Sequence, residues 1–253
     1  MKKVLFSILI MLLIPISYSC EEDNDNNVIA NVTDVDGNVY KTVQIGNQRW
    51  MAENIRTTHY ADGTPIPLVE NETDWAALNY FDIAMSYYEN SAINKETYGA
   101  LYTWAAAMNG SNSSDTNPSG VQGVCMNGWH LPSDEEWKAL EMYLGMSQAE
   151  ADRYNFRGTN EGSKLAGDAS LWNDGILITN SAFGASGFMA LPAGNRHADN
   201  GGFYQLHELG LFWTATESGD TLSISRLLIP HNTEAHRFTY SKKDGYSVRC
   251  IQD

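Results

Sequence analysis

Cysteine, basic side chains and long apolar runs are all scarce in this chain of 253 residues. The three cysteines include no C-x-x-C pair, the spacing of a thiol redox motif. Lys and Arg number 16 against 31 Asp and Glu, which gives a formal net charge of −15, and no basic cluster offsets this charge. Because such a chain repels phosphate groups, we expect no nucleic-acid partner. The sequence also lacks a G-x-S-x-G or P-loop motif.

What remains is typical of an ordered globular protein. Hydrophobic residues make up 43% and charged residues 19% of the chain, which excludes a disordered or membrane-embedded body. The length suits one large or two small domains. After the first twenty residues no apolar run is long enough to cross a membrane.

The first twenty residues have the layout of a secretory signal. Lys2 and Lys3 precede an apolar run over Val4–Ile16, and the run leads to Cys20. A cysteine at this point resembles the signal of bacterial lipoproteins, which implies cleavage before Cys20 and acylation of its thiol. Loss of the two lysines lowers the net charge from −15 to −17. The alternative is an ordinary secretory signal, residues 1–19, followed by an incidental cysteine.

Residues 20–31 are acidic and rich in asparagine, and we interpret them as a flexible tether. Glu21, Glu22 and Asp23 directly behind the cysteine resemble the export signal of bacterial surface lipoproteins. We therefore expect an outer membrane lipoprotein exposed on the cell surface, in contact with the membrane through its lipid. A solvated linker would explain the same charges.

The two other cysteines, Cys125 and Cys250, form an even pair in an exported chain, and such pairs are usually oxidised. We expect a structural disulfide between them. Two free thiols or a redox pair remain as alternatives.

The chain from Val32 to Asp253 predicts an α+β domain. Val39–Ile45 and Gln48–Met51 flank a Gly-Asn turn and predict a β-hairpin. Tyr98–Met108 has a helical stripe, and Ser133 with Glu136 forms a capping box that starts a helix ending near Gly145.

The second half of the domain has two parts. Residues 155–202 are rich in glycine, show no sustained periodicity and predict a long irregular region. A shorter helix precedes this region, from about Ser147 to Tyr154. Four strands are predicted to follow the irregular region: Leu211–Thr216, Leu222–Ile229, Ala235–Tyr240 and Tyr246–Ile251.

Several segments together resemble one family. They are GNQRWMAENIRTTHYADGTPI (46–66), YGALYTWAAAM (98–108), VCMNGWHLPSDEEWKALEMYLG (124–145), GSKLAG (162–167), GFMALPAGNR (187–196), GLFWTATES (210–218) and YSVRCIQD (246–253). This pattern is similar to the Fibrobacter succinogenes major paralogous domain, over residues 32–253.

The resemblance implies a C-type-lectin-like fold, related to the domain of formylglycine-generating enzymes. Two main helices would pack on small antiparallel sheets beside a long irregular loop region. Cys125 and Cys250 would correspond to the disulfide that joins a helix region to the last strand. The family has no established common activity.

A calcium-dependent lectin site is not indicated. Trp172, Asn173 and Asp174 reproduce the W-N-D letters of such sites but lie far from Cys250, and no E-P-N or Q-P-D tripeptide occurs. Oxygen atoms for Ca²⁺ are available on Asp168, Asn173, Asp174 and Asn180, without the spacing of a known loop. We expect no metal site and no cofactor, with Ca²⁺ the one ion that these oxygens would suit.

Aromatic side chains in loop-like contexts offer a candidate binding face, because sugar rings stack on exposed Trp and Tyr. The candidates are Tyr87, Tyr88, Trp172, Phe203 and Tyr204. The predicted ligand site consists of Trp172, Asn173, Asp174, Phe203 and Tyr204. Partial packing into the core is the alternative for each of these rings.

No pair of carboxylates or histidines forms a catalytic constellation in the sequence, and we predict a protein that is not an enzyme. The leading hypothesis is a surface lipoprotein that binds a glycan or a protein. An enzyme or protein-modifying factor on a formylglycine-generating-enzyme-like fold is the second hypothesis, and a structural envelope component is the third.

Overall fold

The structure, a computed structural model, describes residues 28–253, and side chains from residue 31 onward. The predicted signal, Cys20 and the acidic run behind it lie outside the described residues. The strands are β1 Val28–Thr33, β2 Val39–Ile45, β3 Gln48–Met51, β4 Met85–Ser86, β5 Leu101–Tyr102, β6 Trp129–His130, β7 Asn155–Arg157, β8 Asn195–Arg196, β9 Phe203–Tyr204, β10 Gly210–Glu217, β11 Leu222–Leu228, β12 Ala235–Ser241 and β13 Ile251–Gln252.

Within the described part of the chain the helices are short, and only one reaches ten residues. They are α1 Glu72–Ala76, α2 Ala92–Tyr98, α3 Trp104–Met108, α4 Asp134–Tyr143, α5 Gln148–Ala151, α6 Glu161–Leu165 and α7 Ile176–Thr179, with single 3₁₀ turns at Tyr88–Asn90 and Ala169–Leu171.

The architecture is a mixed α/β arrangement of small antiparallel sheets. One sheet has five strands in the order β1-β2-β3-β13-β6, and another has four in the order β10-β11-β12-β7. Two-stranded ladders join β4 to β5 and β8 to β9. No helix among residues 28–253 is long and apolar enough to span a membrane.

Among the three hydrophobic clusters of the described residues, the two larger ones hold the sheets together. One includes Trp50, Trp137 and Phe212, and the other includes Tyr102 and Trp213. Burying a large apolar side chain contributes about 1.5–3 kcal/mol, so these clusters dominate the stability of the fold.

The predicted disulfide is present in the second cluster. Cys125 and Cys250 are bonded across a sequence separation of 125 residues, with Cα atoms 5.9 Å apart. Both half-cystines are fully buried. The bond ties the end of the chain, next to β13, to the segment that precedes β6 and α4.

Local sequence signals predict two elements well. The β2–β3 hairpin has the expected register, with Ile45 opposite Gln48 across the two-residue turn. Helix α4 begins with the predicted capping box, in which the Ser133 side chain accepts from the Glu136 amide and Glu136 accepts from the Ser133 amide. Gly145, at φ +119°, follows the helix in a conformation that favours glycine.

The predicted helix over Tyr98–Met108 is wrong in its first half. Helix α2 ends at Tyr98, and Gly99 turns the chain at φ +81° against Asn54, where an added Cβ would lie 2.6 Å from the Asn54 Cβ. A new helix then starts behind the Thr103 N-cap. Tertiary packing at Gly99 therefore overrides the local helical periodicity, and only the part of the pattern within α3 forms a helix.

Three other boundaries differ from expectation. Strand β1 begins at Val28, inside the predicted tether, because residues 28–33 pair with the free edge of β2. The helix after Ser147 stops at Ala151. In the predicted strand Tyr246–Ile251, Tyr246 and Ser247 form isolated bridges to Tyr102 and Phe212, residues 248–250 belong to no strand, and only Ile251 joins a sheet, in β13.

Candidate functional site

The β8–β9 hairpin has two chemically different faces. Asn195 lies opposite Tyr204, and Arg196 lies opposite Phe203. Directly paired residues of antiparallel strands share a face, and neighbours along a strand point to opposite faces. Asn195 and Tyr204 therefore occupy one face of the hairpin, and Arg196 and Phe203 occupy the other.

The Arg196 face anchors the hairpin to the body. The Arg196 guanidinium lies 4.5 Å from the Trp75 ring centroid and 4.7 Å from that of Phe203. It donates hydrogen bonds to the carbonyls of Val69, Glu70 and Gly201. Burial lowers the pKa of Arg196 to about 10, so it stays charged at neutral pH. These contacts fix the position of the opposite face.

The opposite face opens to solvent as a hollow of about 480 Å³. We call it the hairpin hollow, and its lining residues are Asn195, His197, Asn200, Tyr204 and Gln205. All except Asn195 are exposed.

The ring of Tyr204 is 44% exposed, and its hydroxyl accepts a hydrogen bond of 2.7 Å from Asn200 Nδ2. The His197 ring stands edge-on to it, with centroids 6.0 Å apart. The ring of Tyr204 is therefore oriented from two sides while remaining accessible.

Asn195 carries an unsatisfied polar atom. The residue is only 6% exposed, and its Oδ1 has no hydrogen-bond partner. A buried acceptor without a donor costs about 1–3 kcal/mol, and such groups are few in native proteins. Asn195 lines the hollow, but this Oδ1 is closed to solvent and is not an acceptor that a ligand in the hollow can reach.

Backbone geometry around the hollow depends on two glycines. Gly194 has φ +65°, and a Cβ there would lie 2.5 Å from the Tyr204 carbonyl oxygen. Gly201 has φ +68°, and a Cβ there would lie 2.0 Å from the Glu72 carbonyl oxygen, at the start of α1. The non-glycine residue Gln205 also has a positive φ, of 61°. Such conformations persist only where surrounding structure enforces them, and they are enriched at functional sites.

One known protein family matches this chain. The Fibrobacter succinogenes major domain matches residues 43–252, which is most of the chain. The chain belongs to this family. No curated protein and no solved structure matches it.

The Fibrobacter succinogenes major domain contains the whole hairpin hollow and both cysteines of the disulfide. Strand β1 lies before the matched range. The family match therefore covers every residue considered for binding.

Within this domain the predicted ligand residues do not form one site. Tyr204 lines the hairpin hollow, whereas Phe203 points to the other face and packs against Tyr88, at a centroid distance of 5.3 Å. Trp172 is 5% exposed, and its indole donates to the Gly167 carbonyl at 3.0 Å.

Asn173 and Asp174 are exposed on the segment that follows Trp172. The Asn173 amide donates to the His207 carbonyl at 2.8 Å, and its side chain donates to Glu208 Oε1 at 3.3 Å. This segment therefore lies beside residues 205–209 without lining the hollow.

The remaining residues considered as Ca²⁺ ligands form hydrogen bonds within local turns. Asp168 Oδ1 accepts from the Ser170 amide and hydroxyl, and Asn180 Oδ1 accepts from the Ala182 amide. Over residues 28–253 no group of three or more His, Cys, Asp or Glu side chains is placed to hold a metal ion.

Sequence reasoning missed Asn195, His197, Asn200 and Gln205. A visible signal was the clustering of amide side chains with His197 around Gly201 and Gly202, next to Tyr204. Amide and imidazole side chains beside an exposed tyrosine are the polar and aromatic groups that orient ligands in binding sites.

Proposed function

We propose that this protein is a surface-exposed outer membrane lipoprotein, anchored through Cys20, whose domain binds a glycan without catalysis at the hairpin hollow. The observation that carries the proposal is the exposed ring of Tyr204, which lines the hairpin hollow and is oriented by Asn200 and His197.

The chemistry of the hollow matches that of a sugar. The C–H face of a pyranose would stack on the Tyr204 ring, and a hydroxyl would form a hydrogen bond with the exposed His197. Asn200 and Gln205 supply further amide groups at the rim. No Lys, Arg, Asp or Glu lines the hollow, which favours a neutral ligand. A protein partner is the less favoured ligand, because five lining residues make a small contact.

We further propose that the fold is C-type-lectin-like. The support is the disulfide between Cys125, which precedes α4, and Cys250, which directly precedes the final strand. Binding in this proposal needs no calcium, since no carboxylate lines the hollow and its exposed polar groups can contact hydroxyls directly.

A non-catalytic role is supported by the state of the cysteines. Oxidase chemistry of the formylglycine-generating type would need reactive thiols, and Cys125 and Cys250 are buried and bonded to each other.

A glycan array probed with the full chain, purified in detergent, tests the proposal. We expect binding to neutral glycans that is unchanged by EDTA and weakened about tenfold by Tyr204→Ala, because a stacking ring and its fixed hydroxyl are lost. Asn200→Ala should weaken binding to the same glycans, because it removes the hydrogen bond that orients the Tyr204 hydroxyl.

Tyr154→Ala is the matched control, since Tyr154 is 42% exposed and outside the hollow. Equal affinities for the Tyr204 and Tyr154 variants, or an array without any bound glycan, would contradict the proposal.

A further inference from the structure

A second pocket, of about 320 Å³, lies on another part of the surface. We call it the Trp104 pocket. It is formed by the segment before β4, by α3 with the loop that follows, and by the ends of β10 and β12. Its principal lining residues are Tyr80, Phe81, Trp104, Met108, Glu217 and Lys242. None of them belongs to the hairpin hollow.

Trp104 forms a fixed aromatic wall of this pocket. Its indole Nε1 donates a hydrogen bond of 2.8 Å to the Thr214 carbonyl, and the Lys242 ammonium lies 4.2 Å from the ring centroid. The backbone amide of Trp104 also donates to the Lys242 carbonyl at 3.0 Å. The ring is therefore held in place before any ligand arrives.

Lys242 and Glu217 form a polar pair beside that ring. Lys242 is only 2% exposed, and its Nζ lies 2.7 Å from Glu217 Oε2, whereas the Glu217 side chain is 44% exposed. An ammonium group has three N–H donors. Within residues 28–253 its one hydrogen-bond acceptor is Glu217 Oε2. The pocket thus presents spare donors next to an accessible carboxylate, with no net charge.

The loop that closes the pocket is attached to β10. Ser113 Oγ accepts from the Glu217 amide at 2.9 Å, and the Ser114 amide donates to the Ala215 carbonyl at 3.0 Å. Thr216 Oγ1 donates back to the Ser114 carbonyl at 2.7 Å. These bonds make the pocket largely preformed, which lowers the entropic cost of binding.

At the rim, Phe81 is unusually accessible. Its side chain is 77% exposed, and Tyr80 beside it is 36% exposed. Exposing a large aromatic ring next to a preformed polar pair is typical of a binding site, because water solvates the ring poorly.

We propose that the Trp104 pocket binds a neutral sugar through two adjacent hydroxyls. One hydroxyl accepts a hydrogen bond from Lys242 Nζ and its neighbour donates to Glu217, while the C–H face of the sugar contacts the aromatic rings. A neutral ligand suits an ion pair that is already balanced in a strongly acidic chain. This second site stands whether or not the hairpin hollow binds a glycan.

Fluorine NMR of the full chain in detergent, with 5-fluorotryptophan at its seven tryptophans, tests the site. The Tyr204→Ala chain serves as the background, so that any binding at the hairpin hollow is weakened about tenfold throughout. Trp104→Phe assigns the Trp104 resonance. The probes are cellobiose, xylobiose, mannobiose, maltose, lactose and diacetylchitobiose, with short neutral peptides as a separate arm.

We expect at least one disaccharide to shift the Trp104 resonance in a saturable way. Glu217→Gln should weaken that binding about tenfold, because a hydrogen bond to a charged acceptor is lost. Phe81→Ala, a change at an exposed ring with little effect on folding, should weaken it several-fold.

Glu135→Gln is the matched control. Glu135 Oε1 lies 2.7 Å from Nζ of the buried Lys138, its side chain is 45% exposed, and the pair lies outside the pocket, although Lys138 also pairs with Asp152. The proposal is overturned if no disaccharide moves the Trp104 resonance, if only peptides move it, or if the Glu217 and Glu135 variants bind equally.

Discussion

His130 shows how one buried side chain links three parts of the molecule. It is 3% exposed, and its Nε2 and Nδ1 lie 2.7 Å from Glu136 Oε1 and from Asp253 Oδ1. Burial by itself lowers the pKa of the imidazole, but the hydrogen bonds and charges of the two carboxylates outweigh burial and raise it. Glu136 also accepts from the Ser133 amide, so the histidine is connected to the cap of α4.

Stability should therefore depend on the charge of His130. A raised pKa in the folded state stabilises the protein fully below the unfolded value of about 6.5, and this contribution is lost as pH rises through the folded value. We expect the free energy of unfolding to fall as pH rises above 6.5, and His130→Gln to flatten that dependence and cost about 1–3 kcal/mol at pH 6.

Urea unfolding from pH 5 to 9 measures both effects. His231→Gln is the control, because His231 is exposed. An equally steep pH dependence in the His130→Gln chain would refute this role.

Buried arginines also show where residue-level prediction from sequence fails. Arg249 is fully buried and donates to Asn54 Oδ1 and to the carbonyls of Met51, Phe188 and Met189. Burial lowers its pKa to about 9. Arginine is usually exposed, so the sequence alone predicts a surface position for Arg249. Its burial is explained by the backbone carbonyls that converge on its guanidinium in the folded chain.

At the scale of elements, α4 packs on the four-stranded sheet through buried charges. Arg226 on β11 is 1% exposed and lies 2.8 Å from both Asp134 Oδ1 and Glu141 Oε1 of the helix. Arg157 pairs with Glu141, and Arg237 pairs with Asp134. Although burial by itself raises the pKa of Asp134, the arginine charges and hydrogen bonds keep it well below its ordinary value.

Removing one arginine from this buried network should lower the free energy of unfolding far more than removing an arginine from a surface ion pair. We expect Arg226→Met to destabilise the fold by about 3–5 kcal/mol, since two buried carboxylates lose a partner. Arg153→Met should cost less than about 1 kcal/mol, because Arg153 is 59% exposed and pairs with Glu150 on the surface. Thermal and urea unfolding compare the two, and equal losses would show that the buried network contributes no more than a surface ion pair.

A helix, strand or turn can be predicted from the sequence when the residues that determine it are close together in the chain. The β2–β3 hairpin and α4 are encoded by a two-residue turn and a capping box, both of which are local. The turn at Gly99 depends on Asn54, 45 residues away, and no periodicity reveals it.

The candidate site follows the same rule. An exposed aromatic such as Tyr204 can be proposed from its loop context. The opposite orientations of Phe203 and Tyr204 follow from a register with Asn195 and Arg196, which only the paired hairpin reveals.

At the scale of the whole molecule, the disulfide bears on the stability of the fold, and the proposed anchor bears on the location of the protein. The Cys125–Cys250 bond closes a loop with a sequence separation of 125 residues, and in the entropic account a loop of that size contributes roughly 4–5 kcal/mol. It holds the last strand against the core, whereas the proposed anchor would determine where the folded body lies. Because β1 begins at Val28, eight residues beyond Cys20, that body lies at most about 29 Å from an acylated Cys20.

The anchor is tested by Cys20→Ser, which removes the only atom that could carry the thioether-linked lipid at this position. Two or three acyl chains hold a protein firmly, at about 0.8 kcal/mol for each buried methylene, and no helix among residues 28–253 could substitute for them. We therefore expect the Cys20→Ser protein to leave the membrane fraction and to lose labelled palmitate, with an unchanged melting temperature of the domain. Ser19→Ala, one residue earlier, should keep both the label and the membrane location. If the Cys20→Ser protein still sediments with membranes and still incorporates palmitate, another residue carries the lipid, and the 29 Å limit on the distance between domain and membrane no longer applies.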